Sequence, residues 1–161
     1  MRRCHRHRYP TPSVWTDAVV ATPVPPTDPS ELLRRVIADV IGDQVSVEVQ
    51  APGASWQAHV RLLGPEGRIC DLLTGGEWQE ARFHTPRVRG FILSDGTEAE
   101  VEATLRKLAR TSREYLQGRY LVRDARGLFG TKPTLVLRTE DGEWRIGQRT
   151  SRVPYPSDPP G

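Results

Sequence analysis

The sequence predicts an α+β fold: a mostly antiparallel sheet packed against two helices, with an extended Pro-rich N-terminal arm and a Pro-rich C-terminal tail. Three observations carry this. Two segments place apolar residues at helical spacing behind good N-terminal caps, one opening at Asp28 and one at Thr97. Between and after them the apolar period falls to two, with Gly-containing turns. Ten of the fourteen prolines lie in the first 29 residues or after residue 153, while thirteen of the fourteen glycines lie between Gly42 and Gly147. Proline fixes φ and removes a donor, so the ends are expected to be extended and the middle folded.

The first helix begins at Asp28-Pro29-Ser30-Glu31. Asp28 suits the N-cap, Pro29 the first helical position and Glu31 a capping box. Leu32, Leu33, Val36, Ile37, Val40 and Ile41 form its apolar face, and Gly42 is the expected C-terminal cap. Val45, Val47 and Val49 then alternate with polar residues. After Ala51-Pro52-Gly53 so do Trp56, Ala58, Val60 and Leu62. Gly64-Pro65-Glu66-Gly67 reads as a turn into a strand at 68–73. If Gly64 pairs with Gly67, Ala58 faces Leu73, Val60 faces Asp71 and Leu62 faces Ile69, so Asp71 interrupts an apolar face. Gly75-Gly76 leads to a strand at 78–83, and another is expected at 88–93.

Thr97-Glu98-Ala99-Glu100 is a second capping box. It opens a long helix buried along Val101, Leu105, Leu108, Tyr115 and Leu116 and closed by Gly118. Three strands follow at 120–123, 134–139 and 143–148. Asp141-Gly142 tolerates the positive φ angles of a type I′ hairpin turn. Short turns between strands argue against a doubly wound parallel sheet. The division this suggests is a basic, Pro-rich arm at 1–28, a single domain at 29–148 and a tail at 149–161.

The closing segment from Thr134 to Gly147 resembles the final hairpin of nuclear transport factor 2-like proteins, which often end on a Gly-x-Trp-x-Ile strand. The similarity covers about a tenth of the chain. Upstream the order departs from that family, with strands where its early helices lie, so neither its pocket nor any of its residues is carried over.

Composition bounds function. The chain has 161 residues and a mass of 18.1 kDa, enough for one hydrophobic core. No apolar run approaches the ~20 residues of a membrane span, and no apolar stretch follows Met1-Arg2-Arg3, so neither a span nor a secretory signal is expected. Two distant cysteines make no disulfide scaffold, and cytoplasm is the expected compartment. The net charge is +3 and the pI near 9.2, a balance that invites a nucleic-acid reading. Arg2, Arg3, Arg6 and Arg8 precede the first acid, however. Setting those four aside leaves 19 basic against 20 acidic residues. The excess belongs to the arm.

Several residue groups are candidates for function. Arg2, Arg3, Arg6 and Arg8 could line phosphates with Tyr9 stacking on a base, although solvated basic tails are common. Cys4, His5 and His7 cluster, but neighbouring ligands reach one tetrahedral ion poorly, so no metal and no cofactor are expected. Trp15, Val19 and Val20 form an apolar island between proline runs, either folded back on the domain or docked on a partner protein. Pro23-Val24-Pro25-Pro26 fits a PxxP pattern that is frequent by chance. Glu102, Arg106, Arg110 and Glu114 fall in one i,i+4 row, with Arg113 beside them; a solvated face with two ion pairs is the expected reading.

For catalysis the titratable candidates are His59, Asp71 and His84, with Glu77 and Glu80 nearby. An Asp on an apolar face needs a partner or a raised pKa, while a register slip of one would move it to the other face. Cys70 reads as a small core residue, and the stretch from Gly127 to Pro133 as a loop between strands. No nucleophile elbow, Walker A loop or dinucleotide fingerprint is present. The expectation is a non-enzymatic protein-binding domain, with the character of a bacterial accessory or immunity-type protein that caps a partner. The alternatives are a nucleic-acid-binding protein using the arm, and a small enzyme or ligand carrier with a pocket between sheet and long helix.

Overall fold

The computed structural model describes residues 27–127, 130–147 and 151–152. The chain runs α1 (Pro29–Val40), β1 (Ser46–Gln50), β2 (Ala58–Leu63), a 3-10 turn (Pro65–Gly67), β3 (Ile69–Thr74), β4 (Trp78–Phe83) and β5 (Val88–Leu93). Then come α2 (Glu98–Leu116), β6 (Tyr120–Gly127), β7 (Gly130–Thr139), β8 (Gly142–Gly147) and β9 (Ser151–Arg152). Strands β1 to β5 form an antiparallel meander in sequence order, with β9 alongside β5 in parallel. Strands β6 to β8 form a second antiparallel sheet. The α+β class follows. No helix among the described residues is long and apolar enough to cross a membrane.

Both helices start where their caps demand. Asp28 Oδ1 accepts the Ser30 N–H at 2.9 Å, and Thr97 Oγ1 accepts the Glu100 N–H at 3.4 Å. Gly42 and Gly118 follow the helix ends with φ of +74° each, a conformation that favours glycine. Leu32, Leu33, Val36 and Ile37 bury the face of α1, which packs on α2 and β2. Helix α2 lies between the sheets, against β3 and β4 on one side and β7 on the other. Leu105, Leu108, Tyr115 and Leu116 meet a core of Leu62, Cys70, Leu72, Phe83, Leu135 and Ile146. Each such side chain contributes on the order of 1.5–3 kcal/mol by leaving water.

The β2–β3 register departs from expectation by one residue. The Gly64 N–H donates to Arg68 O at 2.8 Å, so the turn holds one residue more than a Gly64–Gly67 pairing allows. Glu66 and Gly67 sit at φ +58° and +72°, and that pair of positive φ angles takes up the extra residue. Ala58 therefore pairs with Thr74, Val60 with Leu72 and Leu62 with Cys70, while Asp71 pairs with Arg61. Cys70 and Leu72 face the helices, and Asp71 turns to the opposite face.

Other local expectations are also corrected. Trp56 does not join β2; it forms a single bridge with Gly53. Strand β1 exists, but Val47 and Val49 are exposed because β1 is an edge strand, beyond the main helix contacts with β2, β3 and β4. Gly127 pairs with Gly130, so Thr131 to Pro133 lie in β7 and not in a loop. At the last hairpin Thr139 pairs with Gly142, so the turn bends at Glu140 and Asp141, and the only positive φ is that of Gly142. This is not a type I′ turn.

The polar row of α2 is used internally. Arg106 reaches both Glu102 and Asp39 at 2.8 Å, and Arg35 reaches Glu102 at 2.8 Å, which ties α1 to α2. Arg110 pairs with Glu140, and Arg113 donates to the Val40 carbonyl at 3.2 Å at the end of α1.

Candidate functional site

Strand alternation gives the meander two unlike faces. Ala58, Val60, Leu62, Cys70, Leu72, Ala81 and Phe83 point to the helices and are buried. His59, Arg61, Asp71, Leu73, Glu80, Arg82, Arg89 and Phe91 lie on the other face. The ladder sets Asp71 of β3 opposite Arg61 of β2 on one side and Arg82 of β4 on the other.

Asp71 is only 4% exposed, although it lies on the face without helices. Its Oδ1 accepts from Arg61 Nε at 2.9 Å, and its Oδ2 meets His84 Nε2 at 2.8 Å. His59 Nε2 stands 3.4 Å from Oδ1 and makes no hydrogen bond among the described residues. Burial by itself would raise the Asp71 carboxyl, but the hydrogen bonds from His84 and Arg61 outweigh it and hold the group below the usual carboxylate range. Asp71 is thus a carboxylate, so His84 donates through Nε2–H, and its Nδ1 makes no hydrogen bond among the described residues.

Three features hold the site in place. The turn after β1 brings Trp56 over this face: the Arg82 guanidinium lies 5.3 Å from its ring centroid, and the His59 ring meets it edge-on at 5.8 Å. Trp56 lies so close to Gly53 that a Cβ there would stand 2.4 Å from the indole. Glu80 takes a two-pronged hydrogen bond from Arg82 at 3.0 and 3.2 Å and lies 3.8 Å from Arg89. Behind the site, Tyr115 of α2 holds the turn that carries His84: the Thr85 N–H donates to its hydroxyl and the hydroxyl donates to Thr85 O, both at 3.1 Å.

A cleft of about 540 Å³ opens here, lined by Asp71, Arg82, His84, Arg87 and Arg89 together with Phe83 and Val88. Arg87 makes no ion pair with any described residue. The lining is cationic, with Arg82, Arg87 and Arg89 against Asp71; beside it Glu80 pairs with Arg82 and Arg89, and Glu48 stands opposite Arg61. Such a cleft can hold an anion, and His84 can exchange a proton with it. Among the described residues, no three His, Cys, Asp or Glu side chains are grouped as a metal site.

The structure therefore brings His59, Asp71 and His84 together, although they span 26 positions of sequence. They meet on the face away from α2 and not between sheet and long helix; the cleft at that interface, near the start of α2 and lined by Leu32, Thr74, Glu98 and Val101, holds none of the three. Glu80 joins the site, whereas Glu77 is exposed at the β3–β4 turn. Cys70 faces α2, fully buried, with its thiol 3.2 Å from Ser112 Oγ; burial pushes the thiol pKa up to about 12. Arg2, Arg3, Arg6, Arg8, Tyr9, Trp15, Val19 and Val20, with Cys4, His5 and His7, lie outside the described residues.

Sequence reasoning missed the arginines of the cleft and the roles of Trp56 and Tyr115. The signal for the arginines was present: Arg82 and His84, then Arg87 and Arg89, alternate with apolar residues through the two strand ends. Comparison of the chain with family models, curated proteins and solved structures finds no match.

Proposed function

We propose that this protein is a non-enzymatic binding domain that engages an acidic surface of a protein partner through the Asp71–His84 cleft. One observation carries the reading. The described residues balance acids against bases, yet three arginines line one cleft whose carboxylate is already committed to Arg61 and His84. Arginine side chains held by strands and by Trp56 lose less freedom on meeting a carboxylate than free surface side chains do. The accessory or immunity-type role and a cytoplasmic location are part of this proposal. The location rests on sparse cysteine.

The test places a photo-crosslinking side chain at position 87, and as control at exposed position 34 on α1, in the full chain in its native cells. The reading expects an acidic protein captured from position 87 and not from position 34. Capture should be lost when Arg82 and Arg89 are replaced by Glu. Identical products from both positions would sink it.

One observation favours a second reading, a small enzyme or ligand carrier: Asp71 and His84 share a concave cleft at 2.8 Å, the geometry of an oriented general base. Chromogenic carboxylate and phosphate esters supply the test. Turnover that disappears in His84→Ala, with folding intact, supports this reading. Turnover that His84→Ala leaves unchanged overturns it. The nucleic-acid alternative rests on the arm, and deletion of residues 1–8 tests it through a steep, salt-dependent loss of binding.

A further inference from the structure

We propose that the anionic group recognised by this cleft is a phosphate monoester. The inference rests on the binding reading above and names its chemistry. Charge is the first argument. The charged residues lining the cleft, Arg82, Arg87 and Arg89 against Asp71, leave an excess of two positive charges. A phosphate monoester carries about −1.5 to −2 near neutral pH, where a carboxylate or a phosphodiester carries one charge.

Donor geometry is the second. Arg82 comes from β4, Arg87 from the β4–β5 turn and Arg89 from β5, so the guanidinium groups approach the cleft from three parts of the chain. A monoester offers three terminal oxygens to such a set, and a carboxylate offers two. Arg82 and Arg89 share Glu80, which holds them close to each other, while Arg87 has no ion pair among the described residues. Arg87 is therefore the side chain with most to gain from a ligand.

His84 is the third. Asp71 occupies its Nε2, and Nδ1 makes no hydrogen bond among the described residues. A monoester loses its last proton near pH 6, so close to neutrality it presents either P–OH or P–O⁻. A ring whose free nitrogen can accept or donate serves both forms. A nucleic-acid backbone offers no such proton, and it needs a basic track longer than one cleft in an otherwise balanced domain.

The full chain is titrated, by calorimetry and by arginine side-chain NMR, with inorganic phosphate, a phosphoserine peptide, a nucleoside 5′-monophosphate, glutamate and an RNA oligomer. Phosphate and at least one monoester should bind. Arg87→Ala should weaken them about tenfold or more, while Arg34→Ala changes nothing and the thermal unfolding of both variants stays that of the parent. His84→Gln should weaken phosphate and monoester binding as well, because it removes the ring nitrogen that faces the cleft. A tighter phosphopeptide places the group on a protein partner, and a tighter nucleotide places it on a small molecule; both support the inference. Glutamate binding as tightly as phosphate, in an Arg87-dependent way, overturns the phosphate assignment and leaves the binding reading standing. Phosphate and monoester binding that survives Arg87→Ala, RNA that binds more tightly than the monoesters in an Arg87-dependent way, or the absence of binding by every probe overturns the inference.

Discussion

The hydroxyl of Tyr115, near the end of α2, is held in both directions by the backbone of Thr85, the residue after His84. Phe83 packs edge-on against the same ring at 4.9 Å, and Tyr120 lies 5.1 Å from it. A fully buried aromatic thus joins the helical core to the turn that presents His84 and Arg87. The core reaches the cleft through this contact.

Tyr115→Phe keeps the ring and removes the two hydrogen bonds. Thr85 is exposed, so water can replace the lost partner, and the expected cost is about 1 kcal/mol in urea unfolding. The more telling readout is the cleft: anion binding should weaken although no ligand touches Tyr115. Unchanged binding at reduced stability would show that the turn holds its shape without the phenol.

Asp71 makes stability depend on pH in a definite direction. Its carboxyl titrates below the ordinary range in the folded chain, so the unfolded chain binds that proton more readily. The resulting stabilisation is complete above the unfolded pKa, about 3.9, and is lost as pH falls through the lower folded value. Glu102 and Glu114 are also held low, by Arg106 and Arg119 respectively, and add to the same acid limb. Asp71→Asn should cost about 1–3 kcal/mol at pH 7 and make that limb shallower. Parallel acid limbs in parent and variant would contradict this account.

Cys70 should be silent in the native protein. A fully buried thiol whose pKa is pushed up to about 12 offers neither access nor thiolate at pH 8. In a Cys4→Ser background, a thiol reagent should modify Cys70 only at the rate of unfolding, and the rate should rise with denaturant. Fast labelling without denaturant would place Cys70 outside the core.

Two substitutions on α2 should separate packing from surface charge. Leu105→Ala empties a site of zero exposure and should cost about 2–5 kcal/mol. Arg106→Ala removes two ion pairs on a partly exposed side chain and should cost about 1 kcal/mol or less, shrinking further in high salt. Equal losses would mean that the pairing of α1 with α2 depends on charge far more than its geometry implies.

Much of the fold was legible because it is written locally. The caps at Asp28 and Thr97, the glycines that end both helices and the limits of β4 and β5 depend on residues within a few positions of each other. The site was legible only in part. His59, Asp71 and His84 could be named as candidates by residue type, but their meeting depends on how many residues the β2–β3 turn consumes. Glu66 and Gly67 decide that through their backbone angles, and the tetrad Gly64-Pro65-Glu66-Gly67 is compatible with either count. The final hairpin makes the same point: Asp141-Gly142 marks a turn correctly, yet the bend falls one residue earlier.

The sequence by itself determined the class of this protein, two capped helices and antiparallel strands, because capping and apolar period act over one or two turns of chain. Tertiary structure decided which face each strand shows. One extra residue in a turn reverses every side chain after it, and that reversal carried Asp71 out of the helix-facing core into the company of Arg61, His84 and the arginines of the cleft.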